Sequence, residues 1–166
     1  MLPDYAGLSR LPDPIASLWT TRLLDLQRYV AGHAGDRFAQ HAMITMDALN
    51  FVAELRGATP AYLDLYEYPE ELRALMELGL DYNIRFQEAQ QVITGPLADG
   101  CCVMMAGWVP FPRAITLSVD AYVICSVDSY LEFGFDYQQR LIEHFRHHRI
   151  IAKSIALPDI DRALIV

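Results

Sequence analysis

Residues Ile115 to Phe145 read ITLSVDAYVICSVDSYLEFGFDYQQRLIEHF, and this stretch decides the fold. It begins with a β-branched apolar run that carries one acid, Asp120, and after Cys125-Ser126 it continues as an amphipathic helix. A strand that presents an acid at its carboxyl end and leads into a helix is the repeating unit of a (β/α) barrel, which keeps its chemistry at that end. The stretch therefore predicts an α/β fold with parallel strands.

The same residues resemble the uroporphyrinogen decarboxylase superfamily, which includes the corrinoid-linked methyltransferases. Its members have a strand with an Asp, a turn that often reads Ser-Pro-Glu, and a helix of the type Y-x-x-F-x-x-P-Y-x-x-x-L-I. The counterparts here are Asp120, Ser126-Val127-Asp128, Tyr130, Phe133, Asp136-Tyr137 and Leu141-Ile142. Upstream, residues 48 to 91 follow the family order of a Leu-Arg-Gly segment, an acidic-aromatic stretch, a Pro-Glu helix start and a long helix. The resemblance thus covers residues 48 to 145.

The resemblance implies a single domain over residues 1 to 166 that forms part of a TIM-type barrel, with a helix-rich first half and few parallel strands. A whole (β/α)8 barrel normally needs about 200 to 250 residues or more, so this chain is too short for one. The family implies a decarboxylase (lyase) or methyltransferase activity on a small molecule of tetrapyrrole or methyl-donor type. A corrinoid or zinc is used in the parent family, and no cofactor is assigned to this chain.

Several departures from the family put activity in doubt. An early Arg-Gln-Ala-Gly-Arg-Tyr segment, whose arginines hold substrate carboxylates in the decarboxylases, has no counterpart in residues 1 to 45. Ala121 stands where the decarboxylases have Ser after the strand acid. The methyltransferase zinc motif, His-x-Cys, is missing from residues 149 to 155, which read RIIAKSI. A truncated or frame-shifted gene product is the expectation that these departures support.

Composition excludes several classes of partner. The net charge is −8 and the pI about 4.9, whereas nucleic acid or an anionic membrane surface would need a basic stripe. No apolar run approaches the roughly 18 to 20 residues that span a bilayer. Three cysteines, two of them adjacent, do not make a disulfide framework. We therefore expect a reduced cytoplasmic protein with no nucleic acid and no membrane among its partners. Homo-oligomer formation is left open by the sequence.

Asp120 is the catalytic candidate, because an ionised acid inside an apolar strand costs several kcal/mol unless it has partners. It could accept hydrogen bonds from a substrate N–H, or it could simply end the strand and cap a turn. Trp108 and Arg113 are substrate-binding candidates in a Pro-rich loop with Phe111, where aromatic rings and a guanidinium suit a flat anionic ligand. These side chains could equally seal the core. Tyr122 is the remaining candidate for the wall of the site.

No metal site is predicted. His144, His147 and His148 have helical spacing, but a basic cluster at a helix C-terminus also complements the helix dipole, and we favour that interpretation. The cysteines show no Cys-x-x-Cys or His-x-Cys pattern and fit buried positions.

The remaining elements are predicted from caps and periodicity. An early helix begins at Asp13-Pro14 with an apolar stripe of Leu18, Leu23, Leu26 and Val30. The expected helices cover 46 to 56, 60 to 65, 69 to 92 and 128 to 145. Strands are expected at 102 to 106, 115 to 124, 150 to 151 and 163 to 166, the last two around a turn at Pro158-Asp159.

Three functional hypotheses stay open. The first is a superfamily enzyme of partial-barrel type, and the second is a non-catalytic remnant or self-associating interaction module with an exposed sheet edge. The third is an unrelated small α/β protein.

Overall fold

Three parallel strands form the main sheet. The computed structural model describes residues 2–35, 37–145 and 149–153, the last range by its backbone. The helices are α1 (Leu18–Ala34), α2 (Ala48–Arg56), α3 (Ala58–Glu67), α4 (Pro69–Thr94), α5 (Val127–Phe133) and α6 (Phe135–His144). The strands are β1 (Thr45–Met46), β2 (Cys101–Val103), β3 (Gly107–Val109), β4 (Ala114–Ser118) and β5 (Arg149–Lys153).

The sheet order is β1-β4-β5, with every pair parallel. Met46 pairs with Ser118 across β1 and β4, and Ala114 pairs with Arg149 across β4 and β5. The strands β2 and β3 form a separate antiparallel hairpin. The predicted α/β class with few parallel strands is confirmed, whereas no closed barrel is formed by the described residues.

The longest helix, α4, begins and ends where the sequence predicts. Pro69 occupies its first turn together with two acids, Glu70 and Glu71, which favour the positive end of the helix dipole. Its last residue is followed by Gly95, whose φ of 61° suits glycine. Local signals therefore set both ends of this element.

Residues 115 to 145 differ from their prediction at two points. The strand expected at 115 to 124 ends at Ser118, and Asp120–Ile124 form a 3-10 helix. The single helix expected at 128 to 145 is divided at Gly134 into α5 and α6. A Cβ at Gly134 would lie 2.6 Å from Cζ of Tyr122, so this close approach of the backbone to an aromatic ring requires glycine.

The helix α1 begins at Leu18, after a separate 3-10 turn at Pro14–Ala16, and not at Asp13-Pro14 as predicted, and it buries a different face. Its buried residues include Thr20, Leu24 and Gln27, whereas Leu18 and Leu26 of the predicted apolar stripe are exposed. Gln27 Nε2 donates a 3.0 Å hydrogen bond to Gln90 Oε1 on α4, so polar contacts hold the helix in this orientation.

The main core lies between the sheet and the helices α2, α4 and α6. It contains fully buried aliphatic side chains from each layer: Leu49, Val52, Leu72, Leu75, Met76, Ile115, Leu117 and Leu141. Each such side chain contributes about 1.5–3 kcal/mol by leaving water. This packing holds β1 and β4 side by side, and it therefore also brings together the residues that come directly after each strand.

The edge of β1 is covered by amide side chains of α4. Asn83 Nδ2 donates to the Met46 carbonyl at 2.6 Å, and Gln87 Nε2 donates to the Met43 carbonyl at 2.6 Å. Gln90 Oε1 accepts from the Met43 N–H at 2.8 Å. These amides occupy the backbone groups that another strand would use, so the expectation of an exposed sheet edge does not hold at β1.

Candidate functional site

Two acids stand at the carboxyl ends of neighbouring strands. Asp47 directly follows β1, and Asp120 lies two residues after β4. Met46 pairs with Ser118, and the Asp47 N–H donates to the Ser118 carbonyl at 3.0 Å. Both acids therefore lie at the same edge of a parallel sheet, which is where open α/β sheets bind ligands.

Asp47 is buried, with 4% of its surface exposed, and it caps α2. Its Oδ1 accepts from the Asn50 N–H at 2.8 Å, and its Oδ2 accepts from Asn50 Nδ2 at 2.7 Å. Burial raises the pKa of Asp47 to about 7, opposed by the Asn50 hydrogen bonds and reinforced by the charge of Asp120. A carboxyl group with this pKa can hold or release a proton near neutral pH.

Asp120 is half-buried at the first position of the 3-10 helix. Ser118 Oγ donates to its Oδ2 at 2.8 Å, which orients the carboxylate at the end of β4. Asp120 thus satisfies the predicted placement at the top of an inner strand, although the backbone turns helical at this residue.

Three phenol groups lie near Asp47. The Tyr62 hydroxyl donates to the Ala121 carbonyl at 2.7 Å, and the Tyr130 hydroxyl donates to Gln138 Oε1 at 2.8 Å. Burial, and also the charge of Asp47, raises the pKa of Tyr62, Tyr122 and Tyr130. The phenols therefore stay protonated near neutral pH and keep their hydroxyl hydrogens for donation.

The structure brings Asp120 and Tyr122 together and places the other two predicted residues elsewhere. Arg113 precedes β4, so it lies at the amino end of the strand that has Asp120 after its carboxyl end. About 3.3 Å of rise per residue puts the two ends of β4 well apart. Trp108 lies in β3 and donates from Nε1 to the Leu97 carbonyl at 3.0 Å. The expectation that their loop covers the carboxyl end of the sheet is therefore wrong for Arg113. The hydrogen bond of Trp108 goes to Leu97 and not to a residue of the candidate site.

Asp47 is not among the residues predicted from the sequence. A signal is present, because an apolar run (AMITM, residues 42–46) precedes an Asp that in turn precedes a helix. The run forms a strand of only two residues, Thr45–Met46, and lacks the alternation by which strands are recognised. Only the packing of β1 against β4 places this acid beside Asp120.

A larger cavity lies away from the acids. It measures about 300 Å³ and is enclosed by the N-terminal 3-10 segments, α1, α2 and α4. Its lining is mainly apolar and includes Leu11, Pro12, Met46, Phe51, Leu78 and Tyr82. Because its lining is mainly apolar, we place the candidate site at the acids and not in this cavity.

The histidines and cysteines do not form a metal site in the described part of the chain. His144 Nε2 bonds Glu88 Oε1 at 2.8 Å, whereas His147 and His148 lie outside the described residues. Burial raises the pKa of the Cys101 and Cys125 thiols, so both are poor nucleophiles at neutral pH.

Comparisons with protein-family models, with curated proteins and with solved structures give no match to this chain. Within the described ranges, none of the helices combines the length and the apolar character that crossing a bilayer requires.

Proposed function

We propose that this chain is a protein of the uroporphyrinogen decarboxylase superfamily type, with a partial barrel that binds a tetrapyrrole or a corrinoid-linked methyl donor. The pair of acids, Asp47 and Asp120, at the carboxyl edge of β1 and β4 is the observation that carries the proposal. The sequence resemblance over residues 48 to 145, which includes Asp120, also supports it. Three parallel strands with helices between them are consistent with part of a barrel.

The acids suit a ligand that presents N–H groups or develops positive charge. Asp120 would accept hydrogen bonds from pyrrole N–H groups, as a carboxylate does for buried donors. Asp47, with a pKa of about 7, would supply or take up a proton next to it. Asp47 is buried and Asp120 is half-buried, so the two carboxyl groups differ in their access to water and ligand.

Turnover by the isolated chain is a weaker expectation than binding. The arginine-bearing segment that would hold substrate carboxylates has no counterpart in residues 1 to 45, and Arg113 lies at the other end of β4. The proposed function is therefore ligand binding at the acids, with decarboxylase-like or methyltransferase-like chemistry as the parent activity.

The test is an absorbance titration of the purified chain with a uroporphyrin and, separately, with cobalamin. Wild type should bind one of them, and Asp120→Asn should weaken that binding about tenfold or more, because charge-assisted hydrogen bonds contribute about 1.5–3 kcal/mol. Asp128→Asn is the matched control, since Asp128 is exposed on α5 and should leave binding unchanged. Equal binding by wild type and Asp120→Asn, or binding of neither ligand by wild type, contradicts the proposal.

A second candidate function is a self-associating interaction module. The outer face of α1 exposes four large apolar side chains: Leu18, Trp19, Leu26 and Tyr29. Trp19 is 77% exposed, and clusters of this kind mark protein-interaction surfaces. Sedimentation equilibrium tests this function. Dimers that dissociate in Trp19→Ser/Leu26→Ser would support it, and a monomer at high concentration would exclude it.

A further inference from the structure

A small cavity lies directly beside Asp47. It measures about 10 Å³ and is enclosed by residues of β1, β4, α4 and α6 together with Tyr122. Its walls carry the polar side chains of Asp47, Asn83, Tyr122 and Gln138. A volume of this size corresponds to about one water molecule, which also needs two to four polar partners.

Two residues that line it each carry a buried polar atom without a partner among the described residues. Tyr122 and Gln138 are each 2% exposed, and within the described part of the chain neither Tyr122 Oη nor Gln138 Nε2 has a hydrogen-bond partner. The Tyr130 hydroxyl donates to Gln138 Oε1, so the carbonyl end of the Gln138 amide is engaged and its Nε2 remains as a donor. Leaving such a group buried and unsatisfied costs about 1–3 kcal/mol.

We propose that one water molecule binds in this cavity, accepts a hydrogen bond from Gln138 Nε2, and links the Tyr122 hydroxyl to the carboxyl group of Asp47. A bound water satisfies both buried donors at once and offers its own hydrogens to the carboxylate oxygens. Tyr122 is then a positioning residue that acts on Asp47 through water. The water site stands on geometry, whereas its functional consequence rests on the proposed function of the two acids.

The surroundings of Asp47 decide how this link acts on its proton. Five titratable groups interact electrostatically with the carboxyl group: Tyr62 from α3, Tyr130 from α5, and Asp120, Tyr122 and Cys125 at the end of β4. Asp120 opposes ionisation of Asp47, and the hydrogen bonds from Asn50 favour it. A water that donates to the carboxylate also favours ionisation, so its removal should make Asp47 harder to ionise.

The water is tested by a crystal structure at about 1.5 Å resolution of the full chain without ligand. We expect one water within hydrogen-bonding distance of Tyr122 Oη and Gln138 Nε2 in the wild type, and none in Tyr122→Phe/Gln138→Met. A dry cavity in the wild type overturns the inference.

The link is tested by following the Asp47 carboxyl carbon by 13C NMR as pH is varied, again without ligand. Tyr122→Phe should raise the pKa of Asp47 by about 0.5 to 1 unit, and Gln138→Met should shift it in the same direction. Tyr137→Phe is the control, because Tyr137 lines the same cavity but donates its hydroxyl to the Arg73 carbonyl at 3.2 Å. An unchanged pKa in Tyr122→Phe, or an equal shift in Tyr137→Phe, refutes the link. Failure of the ligand titrations would leave these results standing, so the two proposals fail separately.

Discussion

At the scale of single residues, two opposing effects act on the ionisation of the Asp47 carboxyl group. Its side chain caps α2, which favours the ionised form, while burial favours the neutral form. Burial prevails, and the pKa of about 7 means that the folded protein holds a proton that an unfolded chain releases near pH 4. Such perturbed acids concentrate at functional sites, which is why a helix cap is here a candidate for chemistry.

This conflict predicts how stability depends on pH. Between about pH 4 and pH 7 the folded state binds more protons at Asp47 than the unfolded state, so the free energy of unfolding falls as pH rises through that window. Asp47→Asn keeps a capping oxygen and removes the titration. Between pH 4.5 and pH 8, the free energy of unfolding of the variant should increase relative to that of wild type by an amount on the order of 4 kcal/mol at most.

Urea unfolding at pH 4.5, 6 and 8 measures this difference. Asp13→Asn is the control, because the Arg85 hydrogen bond lowers the pKa of Asp13, so Asp13 titrates below this pH range and the difference in stability between this variant and wild type should stay constant from pH 4.5 to pH 8. A difference in stability between wild type and Asp47→Asn that stays constant over this range would show that Asp47 is already ionised in the folded state at pH 4.5.

At the scale of elements, the junction of α5 and α6 orients the tyrosines of the site. The missing Cβ of Gly134 lets the backbone approach Tyr122 and Tyr130, whose rings meet edge-on at 5.2 Å between centroids. Gly134→Ala would bring a methyl group within 2.6 Å of Tyr122 Cζ and 2.7 Å of Tyr130 Cδ2. The rings cannot retreat far, because both tyrosines are buried.

We therefore expect Gly134→Ala to destabilise the protein by about 1–3 kcal/mol through overpacking. Gly32→Ala is the matched control, because Gly32 lies inside α1 and a methyl group added there would have no neighbouring atom within 4 Å. Alanine at this position should stabilise the helix by up to about 1 kcal/mol. Thermal unfolding of both variants measures the expected loss of stability in Gly134→Ala and the expected gain in Gly32→Ala. Equal stability of Gly134→Ala and wild type would mean that the tyrosines are not held where the structure places them.

Elements with strong local signals could be predicted, and those that depend on neighbours could not. The boundaries of α4 follow from Pro69, the two acids after it and Gly95. By contrast, Asp120–Ile124 are β-branched and apolar enough to predict a strand, yet they wind into a 3-10 helix that places Ala121 and Tyr122 in the core. The strand predicted at 150 to 151 is present within β5, and the strand expected at 163 to 166 lies outside the described residues.

At the scale of the whole molecule, a buried ion pair ties the start of the chain to α2 and α3. Arg56 Nε and Nη2 bind Asp64 at 2.8 and 3.1 Å, and Arg56 Nη1 also donates to the Leu2 carbonyl at 3.2 Å. The Tyr5 hydroxyl donates to the same carboxylate at 2.6 Å. Arg56 belongs to the Leu-Arg-Gly segment of the family resemblance, but at 8% exposure it serves packing in this structure.

Arg56→Met should cost about 3–5 kcal/mol, because it leaves the Asp64 carboxylate buried without its counter-charge. Arg85→Met is the control, since Arg85 pairs with Asp13 and Asp81 at the surface and should cost about 1 kcal/mol or less. Chemical denaturation compares the two variants. Similar losses in both would show that the Arg56–Asp64 pair is solvated and does not anchor the N-terminal segment.

The candidate site belongs to the same scale, because residues 47 and 120 are far apart in sequence. Asp120 and Tyr122 can be identified from one continuous stretch, whereas Asp47 joins them only through the pairing of β1 with β4. Arg113 is near Asp120 in sequence, but β4 lies between them, so the two residues are at opposite ends of that strand. Closeness in sequence therefore predicts which residues share a site when a turn joins them, and it fails when a strand separates them.

The interaction between the two acids is the central claim, and a 13C NMR titration of the Asp47 carboxyl carbon in wild type and in Asp120→Asn tests it most directly. The structure predicts a pKa of about 7 for Asp47 in the wild type and a lower pKa in Asp120→Asn, because the charge that opposes ionisation has been removed. An Asp47 that titrates near pH 4 in both proteins would contradict the claim, since the two carboxyl groups would then be neither buried nor neighbours.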